Sequence, residues 1–352
     1  MQQKTKKPFG TLGIHSNNIS EGNKPFSFHG DGFEFFKIWI VNVFLTIITL
    51  GIYSPWALVR TRKYFYGNTK LMDASFNYHA NPVSILIGRI IAVVIYAVFV
   101  SLSTLNPIIA VVLTIVLLAV MPWILNKSLR FHAYNSSYKN IRFNFKGSYE
   151  GALMAFIIWP IIGTISLYAL MPIAIKKQHE YIARNSLYGR SYFSMALPIG
   201  AVYAVFFIGL LIVITGSVAV YFLTSGLNLS LLGPNPIAAR IIVAIYAAVP
   251  IWLIYNFVAM TNLTYNNLGI KQNRFQSTMT LGSYAGLIIV NLGLLIVTLG
   301  LALPWVKVRN AKYAARKLEF IASGDVQQFV QAETNDTTAL GGEIGAVFDI
   351  GI

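Results

Sequence analysis

Seven stretches of the chain are long and apolar enough, at about 20 residues each, to cross the roughly 30 Å core of a bilayer as helices. Each is rich in Ile, Val, Leu and Phe, and several carry Tyr or Trp near an end, where interfacial rings are favoured. A buried helix of a soluble protein can imitate one such stretch but not seven. The pattern therefore predicts an all-α polytopic membrane protein with helices at residues 34–56, 83–102, 107–126, 151–175, 195–224, 237–259 and 284–306.

Short polar segments between these stretches alternate aromatic and polar residues. Phe26 and Phe28 alternate in this way before the first stretch, and Phe76 and Tyr78 do so after it. An alternation of period two is typical of a β-strand. We therefore expect short strand-like segments in the loops of the helical protein.

One segment of the chain occurs twice, which indicates an internal repeat. Thr49-Leu-Gly-Ile-Tyr-Ser-Pro-Trp-Ala-Leu-Val-Arg-Thr-Arg-Lys-Tyr64 returns as Thr298-Leu-Gly-Leu-Ala-Leu-Pro-Trp-Val-Lys-Val-Arg-Asn-Ala-Lys-Tyr313. The alignment begins without a gap at Asn42 and Asn291, and a weaker third copy lies around Pro172. Asn-Pro-Ile, Tyr-x-Asn and Gly-Ser-Tyr-x-Gly signals also recur in one order, so the helices are expected in a 3+3+1 arrangement.

The repeat predicts five segments of the chain. They are a polar N-terminal tail (1–32), a first three-helix repeat (33–148), a second three-helix repeat (149–282), a truncated third repeat with a basic stretch (283–320) and an acidic C-terminal tail (321–352). We interpret the last tail as a disordered solubilising segment or as a short docking peptide.

The composition agrees with a membrane location. Hydrophobic residues make up 56% of the 352 residues and charged residues only 11%, and the mean hydropathy is +0.62. The chain has no cysteine, which excludes disulfides and thiolate metal sites. The net charge of +15 comes from Lys and Arg beside apolar stretches, so we expect anionic lipid head groups as partners rather than nucleic acid.

The two Thr-Leu-Gly to Lys-Tyr segments and the C-terminal Phe348-Asp-Ile-Gly-Ile352 resemble the YjgN-type family of bacterial inner-membrane proteins, a group of unknown function. The resemblance covers nearly the whole chain. It implies multi-pass placement in a bacterial cytoplasmic membrane and carries over no activity or binding site. The middle copy departs from the pattern, because Pro172-Ile replaces Pro-Trp and Lys176-Lys-Gln-His-Glu180 replaces the Arg-rich stretch.

Polar residues within and beside the apolar stretches are the candidate binding residues. A buried Asn usually joins two helices, although a matched pair can line a polar path. An interfacial Arg anchors a helix by snorkelling, or it binds an anionic ligand. The candidate substrate-binding residues are Asn42, Arg60, Tyr64, Arg89, Arg240, Asn291, Arg309 and Tyr313.

No catalytic or nucleotide-binding motif occurs in the sequence, and the five histidines are scattered. We therefore expect neither an enzyme, nor a cofactor, nor a metal site. The leading hypothesis is a transporter of a small solute or an ion, with a site at the interface of the two three-helix repeats. The alternative is a non-transporting membrane protein that binds anionic lipid or scaffolds a partner.

Two topologies fit the pattern. With seven spans, the excess of Lys and Arg places the C-terminus in the cytoplasm and inverts the two repeats relative to each other, as in many transporters. If the first stretch of each repeat is instead re-entrant, all loop cations fall on one side. The length and apolarity of those stretches favour seven spans, whereas the charge distribution favours the re-entrant arrangement. The sequence does not determine the oligomeric state.

Overall fold

A computed structural model describes residues 22–227, 235–324, 330 and 333 of the chain. The helices are α1 Gly32–Ile48, α2 Ser54–Asn68, α3 Pro82–Ser103, α4 Pro107–Tyr134, α5 Tyr149–Leu153, α6 Trp159–Ile165, α7 Met171–Asn185, α8 Ile199–Leu223, α9 Pro236–Asn266, α10 Leu281–Val297 and α11 Leu303–Lys317, with a π-helical segment Met154–Ile158 between α5 and α6. The strands are β1 Gly22–Phe28, β2 Thr69–Leu71, β3 Ala74–Tyr78, β4 Ser136–Tyr138, β5 Ile141–Phe145, β6 Ser186–Tyr188, β7 Ser191–Met195, β8 Leu268–Ile270, β9 Asn273–Ser277 and β10 Leu318–Ala322.

The ten strands form one closed antiparallel barrel. Neighbouring strands in the barrel are also neighbours along the chain, and β1 closes the ring by pairing with both β2 and β10. The first and last described strands therefore meet, so that Asn23 lies opposite Ile321. The barrel takes strands from every segment that the sequence predicted, including the N-terminal one. The predicted tail residues 1–21, 325–329, 331–332 and 334–352 lie outside the described residues.

Helices and β-turns occupy opposite ends of the barrel. Four strand pairs are joined by two-residue turns, at 72–73, 139–140, 189–190 and 271–272. Residues in these turns have positive φ, for example +54° at Met72 and +59° at Gly189, as tight hairpin turns require. Because the strands are antiparallel, every helical connection must leave from the other end. We call these two ends the turn end and the helical rim.

The prediction of seven spans is wrong. Four helices of the described chain, α3, α4, α8 and α9, have 22, 28, 25 and 31 residues and are long and apolar enough to cross a membrane. They form two hairpins, α3–α4 and α8–α9, that both start and end at the helical rim. The segments predicted as two three-helix repeats each contribute one of these hairpins, and both hairpins leave from the same end of the barrel.

The other three apolar stretches fold back on themselves as short hairpins. In α1–α2, the Nδ2 of Asn42 donates to the carbonyl of Ala57 over 3.5 Å, and the hydroxyl of Tyr64 donates to the carbonyl of Asp31 over 2.7 Å. The 17 residues of α1 cover about 25 Å, less than the bilayer core. The chain returns to the rim through the polar helix α2. The pairs α5–α7 and α10–α11 have the same plan.

Each short hairpin reverses through left-handed residues at its tip. The φ values are +49° at Leu50, +53° at Leu167 and +50° at Leu299. These three leucines are 93%, 90% and 93% exposed in the isolated protein. The reversal lies inside each apolar stretch, which is why length and hydropathy alone suggested a continuous span there.

The all-α prediction is also wrong, because the strand-like segments are the wall of the barrel and not details of loops. Each strand has three to seven residues and could not persist alone in water. The strands are stable because each pairs with a neighbour on both sides and all share one buried cluster. Such pairing joins residues far apart in the chain, for instance Asn23 and Glu319, which hydrogen-bond across 296 positions.

Candidate ligand-binding site

The barrel encloses a layer of ten side chains, one from each strand, which we call the aromatic belt. All ten belong to, or pack against, a single buried hydrophobic cluster. They lie opposite one another in the cross-strand pairs Phe26 and Leu71, Phe76 and Tyr138, Phe143 and Tyr188, Phe193 and Ile270, and Phe275 and Phe320. Eight of the ten are aromatic, and the belt runs once around the barrel.

Ring contacts continue from one β-hairpin to the next around the belt. Between directly paired strands, the ring centroids of Phe76 and Tyr138 lie 4.8 Å apart and those of Phe275 and Phe320 lie 5.3 Å apart. Across the intervening strand β8, Phe193 of β7 lies 6.2 Å from Phe275 of β9. These separations fall in the range of favourable aromatic pairs. The belt is therefore a contact network that supports the wall as well as an apolar lining.

The belt surrounds a cavity of about 280 Å³, which we call the barrel cavity. No charged side chain lines it within the described residues. The hydroxyl of Tyr138 donates to the carbonyl of Leu71 over 2.7 Å, and that of Tyr188 donates to the carbonyl of Tyr138 over 3.1 Å. Burial raises the pKa of Tyr138 to about 12, so this phenol is neutral at pH 7. The cavity is thus an apolar space lined by three tyrosines, of which Tyr138 and Tyr188 are hydrogen-bonded to the main chain.

A second cavity of about 550 Å³, the vestibule, lies between the helical rim and the last turns of α4, α7 and α9. Phe76, Phe143, Phe193 and Tyr265 line both spaces. The vestibule is more polar than the barrel cavity, since His132, Asn144, His179 and Thr264 also line it. The two spaces adjoin, and their lining changes from polar at the helices to apolar within the barrel.

The vestibule histidine on α7 is neutral at physiological pH. The Nδ1 of His179 lies 3.2 Å from the Oγ1 of Thr264. Burial lowers the pKa of His179 below its ordinary value of 6.5. The vestibule therefore offers hydrogen-bonding groups at this position without a fixed charge.

At the turn end, two residues from the C-terminal segment pack against the barrel. Val330 lines the barrel cavity and belongs to the belt's hydrophobic cluster. Glu333 is 1% exposed, and its carboxylate accepts hydrogen bonds from the main-chain N–H of Arg190, the hydroxyl of Ser191 and the ammonium of Lys271. Two described residues that follow the last strand therefore contact the barrel at this end.

The two asparagines predicted to bind substrate lie inside separate short hairpins. Asn42 bridges α1 to α2, and the Nδ2 of Asn291 donates to the Oδ1 of Asn310 over 2.7 Å, which bridges α10 to α11. Both residues are buried, at 4% and 3% exposure. Each thus ties the two helices of its own hairpin together, and neither lines the barrel cavity or the vestibule.

The predicted tyrosines close the bases of the short hairpins. Tyr64 accepts from the main-chain N–H of Asp31 over 2.8 Å, and the hydroxyls of Tyr313 and Ser283 lie 2.8 Å apart. Tyr181, which the sequence did not single out as a site residue, makes the corresponding contact by donating to the carbonyl of Ser148 over 2.8 Å. The tyrosines position the first helix of each hairpin.

The four predicted arginines are dispersed. Arg60 is exposed and lies 5.7 Å from the ring centroid of Tyr53. Arg309 lines a groove beside Trp305, where the third short hairpin packs against Phe36 of the first. Arg89 of α3 donates to the hydroxyl of Ser54, and Arg240 lies near the first turn of α9, at the end remote from the barrel.

None of the eight predicted residues lines the barrel cavity. The sequence does contain the missed signal, because each five-residue strand has phenylalanine at its centre, as in Ala-Ser-Phe-Asn-Tyr and Asn-Arg-Phe-Gln-Ser. If the strands are interpreted as separate loop segments, nothing in the sequence places these phenylalanines together. In the closed barrel they lie in one layer around the cavity. Among the described residues, no cluster of His, Asp or Glu is suited to hold a metal ion.

The chain is similar to bacterial inner membrane proteins over most of its length. It is 27% identical to the inner membrane protein YjgN of Salmonella typhimurium over 90% of this chain and 92% of that relative. It is 34% identical to inner membrane protein YjgN of Escherichia coli O157:H7 over 46% of this chain, and the match spans only 41% of that relative. No solved structure matches the chain.

A family profile described as a bacterial protein of unknown function (DUF898) matches residues 23–347. Among the described residues, this range contains every helix and every strand except the first residue of β1. The resemblance to the YjgN-type group that the repeated segments suggested is confirmed by the relatives of that name. The chain therefore belongs to the DUF898 family of bacterial proteins of unknown function, and its relatives are named inner membrane proteins.

Proposed function

We propose that this protein is a multi-pass inner-membrane protein that binds an amphipathic ligand, with the apolar part of the ligand in the barrel cavity. The observation that carries the proposal is the aromatic belt around a space without charged lining residues. An engineered apolar cavity of about 150 Å³ in another protein stays dry and binds benzene. At about 280 Å³, the barrel cavity offers more room of the same character.

The adjoining vestibule fits the polar part of such a ligand. Its hydrogen-bonding side chains lie at the helical rim, where a molecule arriving from the bilayer surface meets the protein. Ligand pockets combine apolar walls with a few placed polar groups in this way. The proposed direction of entry is from the membrane through the vestibule into the barrel.

The charge distribution supports a cytoplasmic barrel with both long hairpins crossing the membrane. The chain between the two helices of each long hairpin, residues 104–106 and 224–235, contains no charged residue. Arg240 is the cation nearest to the far side, whereas α2, α7 and α11 carry clusters of Lys and Arg at the rim. Cytoplasmic loops are enriched in Lys and Arg. This orientation also places β10, and the C-terminal segment after it, in the cytoplasm.

The three short hairpins fit one leaflet of the bilayer. Their apolar tips, at Leu50, Leu167 and Leu299, point away from the rim that anchors both of their ends. The recurrence of the same left-handed turn at the same place supports an origin of these hairpins from an internal repeat. Each would hold the barrel against the inner face of the membrane.

The alternative hypothesis from the sequence, lipid binding without transport, gains more support than transport of a small solute or an ion. An ion needs charged or carbonyl ligands along its path, and the barrel cavity has an apolar aromatic lining. Asn42 and Asn291 were predicted to line a polar path, but each joins the two helices of its own short hairpin. Many transporters are built from inverted repeats, whereas both long hairpins of this protein leave from the same end of the barrel.

A fluorescent fatty acid probe and an occluded cavity test the proposal. Ile270→Trp adds an indole to the barrel cavity opposite Phe193, and Tyr192→Trp adds the same indole on the outer wall, where Tyr192 is 51% exposed. We expect Ile270→Trp to weaken probe binding by at least tenfold and Tyr192→Trp to leave it unchanged. Melting temperatures verify that both variants are folded. If Ile270→Trp does not fold, Leu71→Phe fills part of the same cavity with a smaller side chain. Equal binding by all folded variants would refute the proposal.

A further inference from the structure

A groove of about 310 Å³ opens between α2, α3 and α4, close to the helical rim. Its polar lining residues are Arg62, Ser84 and Arg89, and its apolar ones are Leu58, Ile85 and Phe131. His132 completes it and also lines the vestibule, so one side chain belongs to the walls of both spaces. We call this space the arginine groove.

Both arginines of the groove have neutral partners. One Nη of Arg62 donates to the hydroxyl of Tyr78 and to the Nδ1 of His132, each over 2.7 Å, and its guanidinium lies 5.2 Å from the ring centroid of Tyr78. Arg89 donates to the hydroxyl of Ser54. Neither arginine forms an ion pair with a carboxylate of the described chain, whose ion pairs involve Glu180 and Glu333.

Two cations line one groove without a carboxylate partner among the described residues, which favours the binding of an anion. Arg62 is half-buried and Arg89 is exposed in the isolated protein. Like charges that share a site repel each other, and an anion between them relieves that repulsion. A guanidinium presents parallel N–H donors that match the oxygens of a phosphate. Ser84 adds a hydroxyl to the same wall. The remaining donors of the two arginines are therefore suited to a phosphate that enters from the membrane side.

The position of the groove relates it to the bilayer surface. Arg89 lies seven residues after Pro82, where α3 begins, which is about 10 Å along the helix from the rim. With the barrel in the cytoplasm, this is the depth at which the phosphates of the inner leaflet meet the ends of spanning helices. Arginine near a helix end reaches such head groups by snorkelling.

We propose that the arginine groove binds the phosphate of an anionic amphiphile, whose apolar part extends past His132 into the vestibule. This inference rests on the proposed function and deepens it by naming the head group. The chemistry recognised is a phosphate anion, carried either by a phospholipid or by a free phosphate. The lipid is the source favoured by the groove's apolar walls and by its connection with the vestibule.

The test measures equilibrium binding of fluorescent phosphatidylglycerol to the full chain in neutral detergent. Arg62→Gln and Arg89→Gln are each expected to weaken binding about tenfold or more, because a hydrogen bond to a charged group contributes that much. Arg60→Gln is the matched control, since it removes the same charge two residues from Arg62 but outside the groove. It should change binding by less than about twofold. Equal effects of the three substitutions would overturn the proposal.

Two competitors identify the source of the phosphate. Inorganic phosphate carries the anion without a chain, and monoacylglycerol carries a chain without the anion. If the lipid is the ligand, inorganic phosphate displaces phosphatidylglycerol only weakly, whereas strong displacement identifies free phosphate as the ligand of the same groove. Monoacylglycerol should bind equally to wild type and to Arg89→Gln, and a weaker interaction with the variant would contradict a role in phosphate recognition.

Further variants distinguish three outcomes: a loss of local structure, a failure of the groove proposal and a failure of the barrel-cavity proposal. Ser54→Ala removes the partner of Arg89 but keeps the cation, so it should retain phosphatidylglycerol binding if charge is what matters. Ile270→Trp should weaken both phosphatidylglycerol and monoacylglycerol. If it weakens neither while Arg89→Gln still weakens phosphatidylglycerol, the groove is a lipid site and the barrel cavity is not. If Ile270→Trp weakens both and the arginine variants behave like Arg60→Gln, the cavity proposal stands and the groove proposal falls.

Discussion

The carboxylate of Glu333 lies 2.8 Å from the ammonium of Lys271 and joins the C-terminal segment to the turn between β8 and β9. Lys271 is half exposed, whereas the side chain of Glu333 is 1% exposed. The same carboxylate contacts Arg190 in the neighbouring β-turn and Ser191 at the start of β7. Two of the four turns at this end are thus tied together by one acidic residue beyond the last strand.

We expect Glu333→Gln to destabilise the barrel by about 1–3 kcal/mol, because buried hydrogen bonds to a charged group are lost or become neutral. The effect should appear as a lower melting temperature in detergent and as faster proteolysis after β10. Glu319→Gln is the control, since Glu319 accepts a hydrogen bond from Asn23 at an exposed site of the same barrel. A loss no greater than that of the control would mean that Glu333 does not hold the turn end together.

The contribution of Glu333 should depend on pH. Burial alone would raise its pKa, but the hydrogen bonds from Lys271, Ser191 and Arg190 outweigh burial and hold the pKa below its ordinary value of 4.5. A carboxyl group whose pKa is lowered by folding stabilises the fold at pH values above the ordinary pKa, and this stabilisation is lost as the pH falls through the lowered value. The difference in melting temperature between wild type and Glu333→Gln should be constant near pH 7 and shrink below pH 4.5. A melting-temperature difference that increases below pH 4.5 would contradict a lowered pKa of Glu333 in the folded state.

The tyrosines at the bases of the short hairpins allow a matched pair of substitutions. Tyr64→Phe leaves the main-chain N–H of Asp31 without its hydroxyl partner, so we expect a loss of about 1–2 kcal/mol in the free energy of unfolding. The hydroxyl of Tyr53, in the same hairpin, is buried and has no hydrogen-bond partner among the described residues. Tyr53→Phe should therefore be neutral or stabilising. Thermal unfolding of both variants measures the contrast, and equal losses would contradict the assigned role of Tyr64.

The long hairpins could be predicted from the sequence because their signal is local. An apolar run of more than 20 residues, such as that of α3 or α8, has few alternatives to a spanning helix. The short hairpins could not be distinguished from spans by the same measure. Their chain reversal depends on a left-handed backbone at Leu50 or Leu299, and leucine is not a residue that signals such a turn.

The closed barrel could not be predicted from the sequence because its evidence is not local. Each strand shows only a few alternating residues, and the pairing of β1 with β10 joins opposite ends of the described chain. The central phenylalanines, such as Phe143 and Phe275, look like ordinary strand residues until the ring is closed. The candidate polar residues, such as Asn42 and Asn291, recur at equivalent positions of the sequence. Such recurrence is expected of residues that build the short hairpins as well as of residues that bind a ligand.

The topology can be tested cleanly because the chain has no cysteine, so single cysteines report their own positions. Asp73 and Gln272 lie in turns at the turn end, and Thr104 lies in the far turn of the first long hairpin; all three are exposed. We expect a membrane-impermeant maleimide to label Thr104→Cys in spheroplasts and Asp73→Cys and Gln272→Cys only in inverted vesicles. Full labelling of each variant after detergent is added is the control for reactivity. Seven spans would place residues 73 and 272 on opposite sides, so labelling of Gln272→Cys in spheroplasts would be incompatible with a single barrel on the cytoplasmic face.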